Sequence, residues 1–216
     1  MTVEHLQTRL RSPLDIDVCL SCQALWFDGY ESLQLSPAAT LSIFKIIGDA
    51  MDHARPAPMA GGRCPRCGDP LALIHDMQRL TRFQYWRCPR EHGRLIAFLD
   101  FLREKDFIHP LTPAQLADLR QNIESINCSN CGAPVDVEQG KCAHCGTPVS
   151  MLDLHQAERL IADLQRAAGP AAPGQPASEA SPGSRLPDWQ WLKDTPSPDL
   201  VASGLQRFLQ QILQRP

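Results

Sequence analysis

Two segments of the chain begin with a hydroxyl residue and a proline and then carry apolar residues at helical spacing. Serine and threonine are favoured N-cap residues, and proline is favoured at the first helical position. The pattern therefore predicts amphipathic helices that start at Ser36-Pro37 and at Thr112-Pro113. The apolar positions are Leu41, Phe44, Ile47 and Met51 in the first helix, and Leu116, Leu119, Ile123 and Ile126 in the second.

Four other segments also carry an apolar pattern. Alternating apolar and polar residues in MQRLTRFQYWRC (77–88) predict one or two short strands. The run RLIAFLDFLREKDF (94–107) is more continuously apolar and predicts a buried helix. An apolar stripe over 157–164 predicts another helix. The final stripe, in PDLVASGLQRFLQQILQ (198–214), predicts a C-terminal helix that docks on its own domain or on a partner.

Composition separates the last helix from the rest of the chain. Residues 169–187 are rich in Pro, Ala, Gly and Ser and have little apolar surface to bury, which predicts a disordered or extended linker. The whole sequence of 216 residues is 43% hydrophobic and 21% charged, which is typical of a folded protein. Its formal net charge of −3 argues against a polycationic nucleic-acid binder.

The pattern offers no membrane-spanning segment. No apolar run approaches the roughly 20 residues that a spanning helix needs. The N-terminal residues MTVEHLQTRLRS lack the apolar core of a secretory signal. We therefore expect a cytoplasmic protein without a membrane partner.

The chain contains nine cysteines, and eight of them form four C-x-x-C pairs. An odd number of cysteines without a secretory signal argues against a disulfide scaffold, so the pairs predict metal ligands. Glycine follows three of the pairs, and glycine readily adopts the positive φ that a metal-binding knuckle often needs at that position. The pairs are Cys19/Cys22, Cys64/Cys67, Cys128/Cys131 and Cys142/Cys145, and Cys88 stands apart, four residues before His92.

The strongest predicted metal site combines two C-x-x-C pairs that are ten residues apart. Four thiolates from Cys128, Cys131, Cys142 and Cys145 would form a closed tetrahedral zinc site of the structural type. Two redox dithiols or a rubredoxin-like iron site are the alternatives that this spacing leaves open.

A second predicted site joins Cys64 and Cys67 to Cys88 and His92. Three thiolates and one imidazole are a recognised structural zinc set, and the long insert between the two ligand pairs would form the hairpin of a ribbon. His92 could instead be a surface residue.

A third site is left open at Cys19 and Cys22, because no second ligand pair is evident. His5, another loop, water or a second copy of the chain could complete the site. The pair could equally be a metal-free knuckle held by aromatic packing. The prediction is therefore Zn²⁺ at two sites, with a third undecided.

Together these patterns predict a small, metal-stabilised α+β protein in which zinc-ribbon hairpins alternate with amphipathic helices. The predicted segments are a degenerate ribbon half with a helix (1–53), a ribbon with three Cys and one His (63–126), a four-cysteine ribbon with a helix (127–167), the linker (168–187) and the C-terminal helical segment (188–216).

The segment IDVCLSCQALWFDGYESLQLSP (16–37) resembles the second half of the transcription-factor-IIB-type zinc ribbon family. The family's first knuckle has no counterpart here, and DGYE replaces the usual Asp-x-Gly-Glu order. The resemblance implies a zinc-ribbon fold and is typical of small bacterial proteins that carry several such ribbons. The matching residues are Ile16, Asp17, Cys19, Cys22, Trp26, Phe27, Asp28 and Glu31.

We expect a non-enzymatic zinc protein that interacts with another protein or has a regulatory role. The chain contains no HExxH, GxSxG, P-loop or GxGxxG motif, and no small-molecule substrate is evident. Nucleic-acid binding is the alternative, because seven arginines and three acids lie between Arg63 and Arg94, beside three aromatics of the predicted hairpin 79–94. The candidate contact residues are Arg79, Arg82, Arg87 and Arg90.

Overall fold

The computed structural model describes residues 1–50, 61–79, 81–123, 125–152 and 199–213, together with 157, 159, 162, 163 and 166. Those five isolated residues are helical. The predicted linker (168–187) lies outside the described residues, as does Met51 of the first predicted helix. The chain divides into two compact units, one covering Met1–Asp106 and Leu160–Gln175, the other Phe107–Arg159 and Pro176–Pro216.

The first unit contains a six-stranded antiparallel sheet, in the order β1-β2-β3-β6-β5-β4. Two local runs of paired strands, β1 to β3 and β4 to β5, are joined because β6 pairs with both β3 and β5. Residues from the N-terminal segment and from the Cys64–His92 segment thus share one sheet. The strands are β1 (Thr2–Gln7), β2 (Pro13–Cys19), β3 (Ala24–Asp28), β4 (Ala72–Gln78), β5 (Thr81–Arg87) and β6 (Gly93–Ala97).

The helices of this unit are α1 (Glu31–Gln34), α2 (Pro37–Ala50) and α3 (Phe98–Glu104). The Ser36 hydroxyl accepts a hydrogen bond from the Ala39 N–H at 3.1 Å, which confirms the predicted start of α2. The prediction of one helix over 94–107 is wrong in its first part, where the chain forms β6. A central strand is buried on both faces, so its apolar run has no alternation that would distinguish it from a buried helix.

The two faces of the sheet are covered differently. Phe27 of β3 stacks on Phe101 of α3, with ring centroids 5.9 Å apart. The neighbouring residue, Trp26, points to the opposite face, as alternation along a strand requires. There it packs with Cys64 and Cys88. One face of the sheet therefore carries a helix, and the other carries a cysteine cluster.

In its described residues, the second unit combines short strand pairs with helical segments. Strand β7 pairs with β10, and β8 pairs with β9. A capping box between Thr112 and Gln115 confirms the predicted start of α4. The helix ends at Asn122, so the prediction that Ile123 and Ile126 lie on it is wrong. Ile123 is the extended residue that follows the helix, and Ile126 is a buried residue of β8. The elements are β7 (Ile108–Pro110), α4 (Pro113–Asn122), β8 (Ser125–Asn127), β9 (Pro134–Asp136), a 3-10 turn (Val137–Gln139), β10 (Ser150–Leu152) and α5 (Leu200–Leu213).

The predicted C-terminal helix is present as α5, and its first turns belong to the core of the second unit. Leu200, Val201 and Leu205 are each at most 2% exposed. Gly204 allows close packing against β10, because a Cβ at this position would lie 3.3 Å from the Leu152 Cβ. The predicted α+β class is therefore confirmed for the described residues. Within that part of the chain, no helix has the length and apolar character needed to cross a membrane.

Candidate metal centres

Seven of the nine cysteines and one histidine lie in two groups of four potential metal ligands. We call Cys64, Cys67, Cys88 and His92 the first centre, and Cys128, Cys131, Cys142 and Cys145 the second centre. Within each centre, one ligand atom from every residue lies within 4.8 Å of the others. Both centres could therefore hold a metal ion, and both combine the residues that the spacing predicts as ligands.

Three of the C-x-x-C loops share one backbone conformation. In the loop at Cys64, the cysteine N–H donates to the Asp69 carbonyl at 2.8 Å and the Gly68 N–H donates back to the Cys64 carbonyl at 2.8 Å. The loops at Cys128 and Cys142 repeat both bonds at 2.8 and 2.9 Å. The glycine after the second cysteine has a φ between 72° and 74° in all three loops. This left-handed conformation suits glycine and explains the C-x-x-C-G pattern.

The fourth ligand pair, Cys88 and His92, uses a modified version of this loop. The Cys88 N–H donates to the Gly93 carbonyl at 2.9 Å, which keeps the outer hydrogen bond of the other loops. The left-handed residue is now Glu91, with a φ of 61°. His92 thereby occupies the position after the turn and presents its Nδ1 at 3.6 Å from the Cys88 Sγ and 3.7 Å from the Cys64 Sγ.

The first centre lies against the sheet of the first unit. Cys64 and Cys88 are at most 2% exposed, Cys67 is half-buried and His92 is exposed. The Cys67 and Cys88 sulfurs lie 3.6 Å apart. Backbone N–H groups of Arg66 and Arg90 point at the sulfurs of Cys64 and Cys88, each at 3.4 Å. Such N–H contacts favour the thiolate form that a metal ion needs.

Residues at the end of strand β3 make hydrogen bonds and an ion pair with residues of the first centre and its loops. The Trp26 indole N–H donates to the Asp28 carboxylate at 2.7 Å, and the Arg66 guanidinium pairs with the same carboxylate. Burial opposes ionisation of Asp28, but the bonds from Arg66 and Trp26 outweigh it and hold the pKa of Asp28 below its ordinary value. The Gly29 N–H donates to the His92 carbonyl at 3.0 Å. The spacing of the cysteines could not indicate this support.

The second centre is built from two loops of the same conformation. The Cys128 and Cys145 sulfurs lie 3.6 Å apart, and those of Cys131 and Cys142 lie 3.8 Å apart. Cys128 and Cys142 are at most 4% exposed and belong to the apolar core of the second unit. The Ser129 hydroxyl, inside the first loop, donates to the Asp199 carboxylate at 3.0 Å. This bond links the centre to the start of α5, and nothing in the sequence pattern predicts it.

Electrostatics in the second centre favour a bound cation. Burial, together with hydrogen bonding to the neighbouring cysteine sulfurs, raises the pKa of Cys131 to about 12. Burial also opposes ionisation of Cys145, but hydrogen bonding with Thr147 outweighs it and lowers the pKa of Cys145 to about 6. Without a cation, thiolates this close together would repel one another, so the four cysteines would not all ionise. A divalent ion would stabilise all four thiolates together.

Cys19 and Cys22 lie in neither centre. Cys19 is the last residue of β2 and is half-buried, and Cys22 lies in the loop between β2 and β3 and is exposed. Among the described residues, no set of three or more potential ligands includes them. His5 lies elsewhere on the β1–β2 hairpin, opposite Asp15, and its Nδ1 is 2.7 Å from the Asp15 carboxylate.

The arginines predicted to contact nucleic acid lie on or beside the hairpin of β4 and β5. Three of them form ion pairs: Arg79 with Asp106 at 2.7 Å, Arg87 with Glu91 at 2.5 Å and Arg90 with Asp69 at 2.7 Å. The fourth, Arg82, is exposed. The aromatic residues Phe83 and Trp86 of β5 are each 7% exposed, so they offer little surface for base stacking.

We compared the chain with protein-family models, with curated proteins and with solved structures, and found no match.

Proposed function

We propose that this chain is a non-enzymatic zinc protein in which two structural Zn²⁺ ions stabilise the fold and the folded surface binds a protein partner. One observation carries the proposal: in the fold, eight potential ligand residues lie in two sets of four, and each set is close enough to bind one ion. The resemblance of residues 16–37 to transcription-factor-IIB-type zinc ribbons supports the same class.

The spacing of the ligand atoms supports zinc as the metal. With Zn–S bonds of about 2.3 Å, the sulfurs of a tetrahedral site lie about 3.8 Å apart, and with Zn–N bonds of about 2.0 Å a sulfur and a nitrogen lie about 3.5 Å apart. One sulfur–sulfur pair of the first centre lies 3.6 Å apart, and two pairs of the second centre lie 3.6 and 3.8 Å apart. The distances from His92 Nδ1 to two sulfurs are 3.6 and 3.7 Å.

The composition of the two ligand sets supports a structural role. Three or four thiolates with at most one imidazole form closed four-coordinate sites, whereas catalytic zinc keeps one position for water or substrate. In each set two cysteines are almost fully buried, so the ion would be part of the core. An ion of this kind stabilises the fold and leaves no position for a reacting molecule.

The energetics make such ions important for stability. Structural zinc in small peptides contributes apparent free energies of about 10–16 kcal/mol at neutral pH. A typical domain is stable by only about 5–15 kcal/mol in total. In the second unit, four of the strands have three residues each, so we propose that its fold depends on the ion.

A protein partner is the class of ligand that best fits these features. The first unit exposes large apolar side chains, with Tyr30 and Leu33 each 67% exposed and Met77 58% exposed. Exposed apolar groups that lie together favour contact with another protein, and Tyr30 and Leu33 line one shared pocket. Three arginines of the alternative nucleic-acid surface, in contrast, are already paired with carboxylates.

Native mass spectrometry of the full chain tests the metal assignment, with elemental analysis to identify the metal. We expect two Zn²⁺ per chain, and one after Cys131→Ser or Cys88→Ser, each of which removes a ligand of one centre. Cys22→Ser is the matched control, because it removes a thiol outside both centres and should leave two ions. Iron in place of zinc, or an unchanged metal content in both ligand variants, would refute the proposal.

A further inference from the structure

Two cysteines remain after both metal centres are assigned, and they lie together. Cys19 ends strand β2, and Cys22 precedes β3 in the loop that connects these strands. Cys19 is opposite Ala24 in the register of the hairpin, so the loop is short and its ends are fixed by strand pairing. The two remaining thiols therefore form a C-x-x-C pair at a short loop whose ends are fixed.

The local geometry turns the loop back towards the Cys19 sulfur. The Cys22 N–H donates to the Cys19 sulfur at 3.4 Å, so the backbone of the second cysteine lies against the thiol of the first. The Ser21 hydroxyl is 3.4 Å from the Cys19 sulfur. Cys22 is exposed, so a small molecule can reach this end of the pair from solvent. In the two centres, by contrast, each set of ligands includes two nearly buried sulfurs.

We propose that Cys19 and Cys22 form a reversible disulfide by exchange with a low-molecular-weight disulfide, such as oxidised glutathione. One thiolate of the pair attacks a sulfur of the small disulfide, forms a mixed disulfide and releases one small thiolate. The other cysteine, as its thiolate, then attacks the protein sulfur of the mixed disulfide and releases the second small thiolate. In balance, the two cysteines lose two protons and two electrons, and one small disulfide becomes two small thiols.

The same loop makes hydrogen bonds to two helices of the first unit. Gln23, next to Cys22, donates from its side-chain amide to the Ala50 carbonyl at 3.2 Å, at the end of α2. Its backbone carbonyl accepts from the Phe98 N–H at 2.8 Å, at the start of α3. Gln23 also adopts a φ of 49°, which is unusual for a residue other than glycine. A disulfide at Cys19–Cys22 would therefore fix the backbone beside both contacts.

The test uses the full chain, purified with its metal content measured beforehand. The protein is incubated with oxidised glutathione, the free thiols are alkylated, and the modified cysteines are mapped by mass spectrometry. We expect the loss of two alkylatable thiols and a peptide containing the Cys19–Cys22 disulfide, with no loss of metal. Reduced glutathione in excess should restore both thiols.

Single variants provide the second measurement. Cys22→Ser and Cys19→Ser cannot complete the second exchange, so each should retain a stable glutathione adduct on the remaining cysteine. The proposal is overturned if Cys19 and Cys22 both stay free in the oxidised sample, or if a third zinc ion protects them. It is also overturned if they pair with cysteines of the centres. A starting metal content other than two zinc ions per chain would instead contradict the zinc assignment, so the two failures can be told apart.

Discussion

At the scale of single residues, the backbone of β3 leaves no room for a side chain at the position that follows His92 of the first centre. Gly93 follows His92 and starts β6, directly beside the end of β3. A Cβ at this position would lie 2.3 Å from the Phe27 carbonyl oxygen and 3.0 Å from the Asp28 Cα. Both are backbone atoms, so neither can move without disturbing the sheet. Gly68, in contrast, has no atom within 4 Å of such a Cβ, and only its φ of 74° favours glycine.

Gly93→Ala and Gly68→Ala therefore separate crowding from backbone strain. We expect Gly68→Ala to cost about 1–2 kcal/mol, the usual cost of a left-handed alanine. Gly93→Ala should cost more than about 4 kcal/mol and lower the occupancy of the first centre, because the β3–β6 pairing must shift. Urea unfolding with metal analysis measures both effects. Equal destabilisation by the two variants would show that steric contact with β3 is unimportant.

At the scale of secondary-structure elements, β3 connects the N-terminal part of the first unit to the first centre. Trp26 is 2% exposed and packs against Cys64 and Cys88. Trp26 belongs to the N-terminal segment, yet it packs against cysteines of a centre that lies much later in the sequence. The spacing of the cysteines gives the ligand sets of the two centres but cannot show which strand covers them.

Trp26→Ala should destabilise the first unit by about 3–5 kcal/mol, as truncation of a buried tryptophan does. We also expect faster metal loss from the first centre, because its sulfurs lose their cover, and no change at the second centre. The control is Tyr30→Ala, since Tyr30 is 67% exposed and its removal should change stability by less than about 0.5 kcal/mol. Competition with a chromogenic chelator measures the rate of metal loss. Identical rates in wild type and Trp26→Ala would contradict the role of β3.

Helix α5 is similarly attached to the second centre. The Asp199 carboxylate accepts hydrogen bonds from the Val201 N–H at 2.9 Å and from the Ser129 hydroxyl at 3.0 Å. Asp199→Ala should cost about 1 kcal/mol as the loss of an N-cap, and Asp199→Asn should cost less because the amide oxygen can still accept. Amide hydrogen exchange over 200–207 measures the change.

Removal of the metal should also reduce the amide protection of α5. Because Ser129 lies between two ligands of the second centre, chelation should speed exchange over 200–207. A ligand substitution confined to the first centre should leave it unchanged. Equal exchange of this helix with and without metal would show that its docking does not depend on the centre.

At the scale of the whole molecule, each unit contains its own set of potential metal ligands. Cys67→Ser should therefore remove one of two ions and reduce amide protection within 61–106, while protection within 107–152 remains. The reciprocal variant, Cys145→Ser, should reverse the two responses. Hydrogen exchange resolved by peptide provides the measurement, and loss of protection in both units from either substitution would exclude independent metal dependence.

Parts of this architecture follow from the sequence because their signals are local. The Ser36 and Thr112 caps act within a few residues, and the ligands of each centre come in close pairs from one stretch of the chain, so the helix starts and the grouping of ligands could be predicted. Strand β6 could not be recognised, because its identity depends on β3 and β5 pairing on its two sides. From the sequence, Gly204 lowers the helix propensity of its segment. In the structure, the same residue allows α5 to approach Leu152.

The pairing of β3 with β6 has a consequence for synthesis of the protein. Ala24 lies opposite Ala97, so β3 leaves the ribosome well before its neighbour exists. At about 5–20 residues per second, that interval is roughly 4–15 s. During this time Leu25 and Phe27, which are fully buried in the finished sheet, lie on a strand with an open edge. We therefore expect the nascent chain to be most prone to aggregation, and most dependent on chaperones, between the translation of β3 and that of β6.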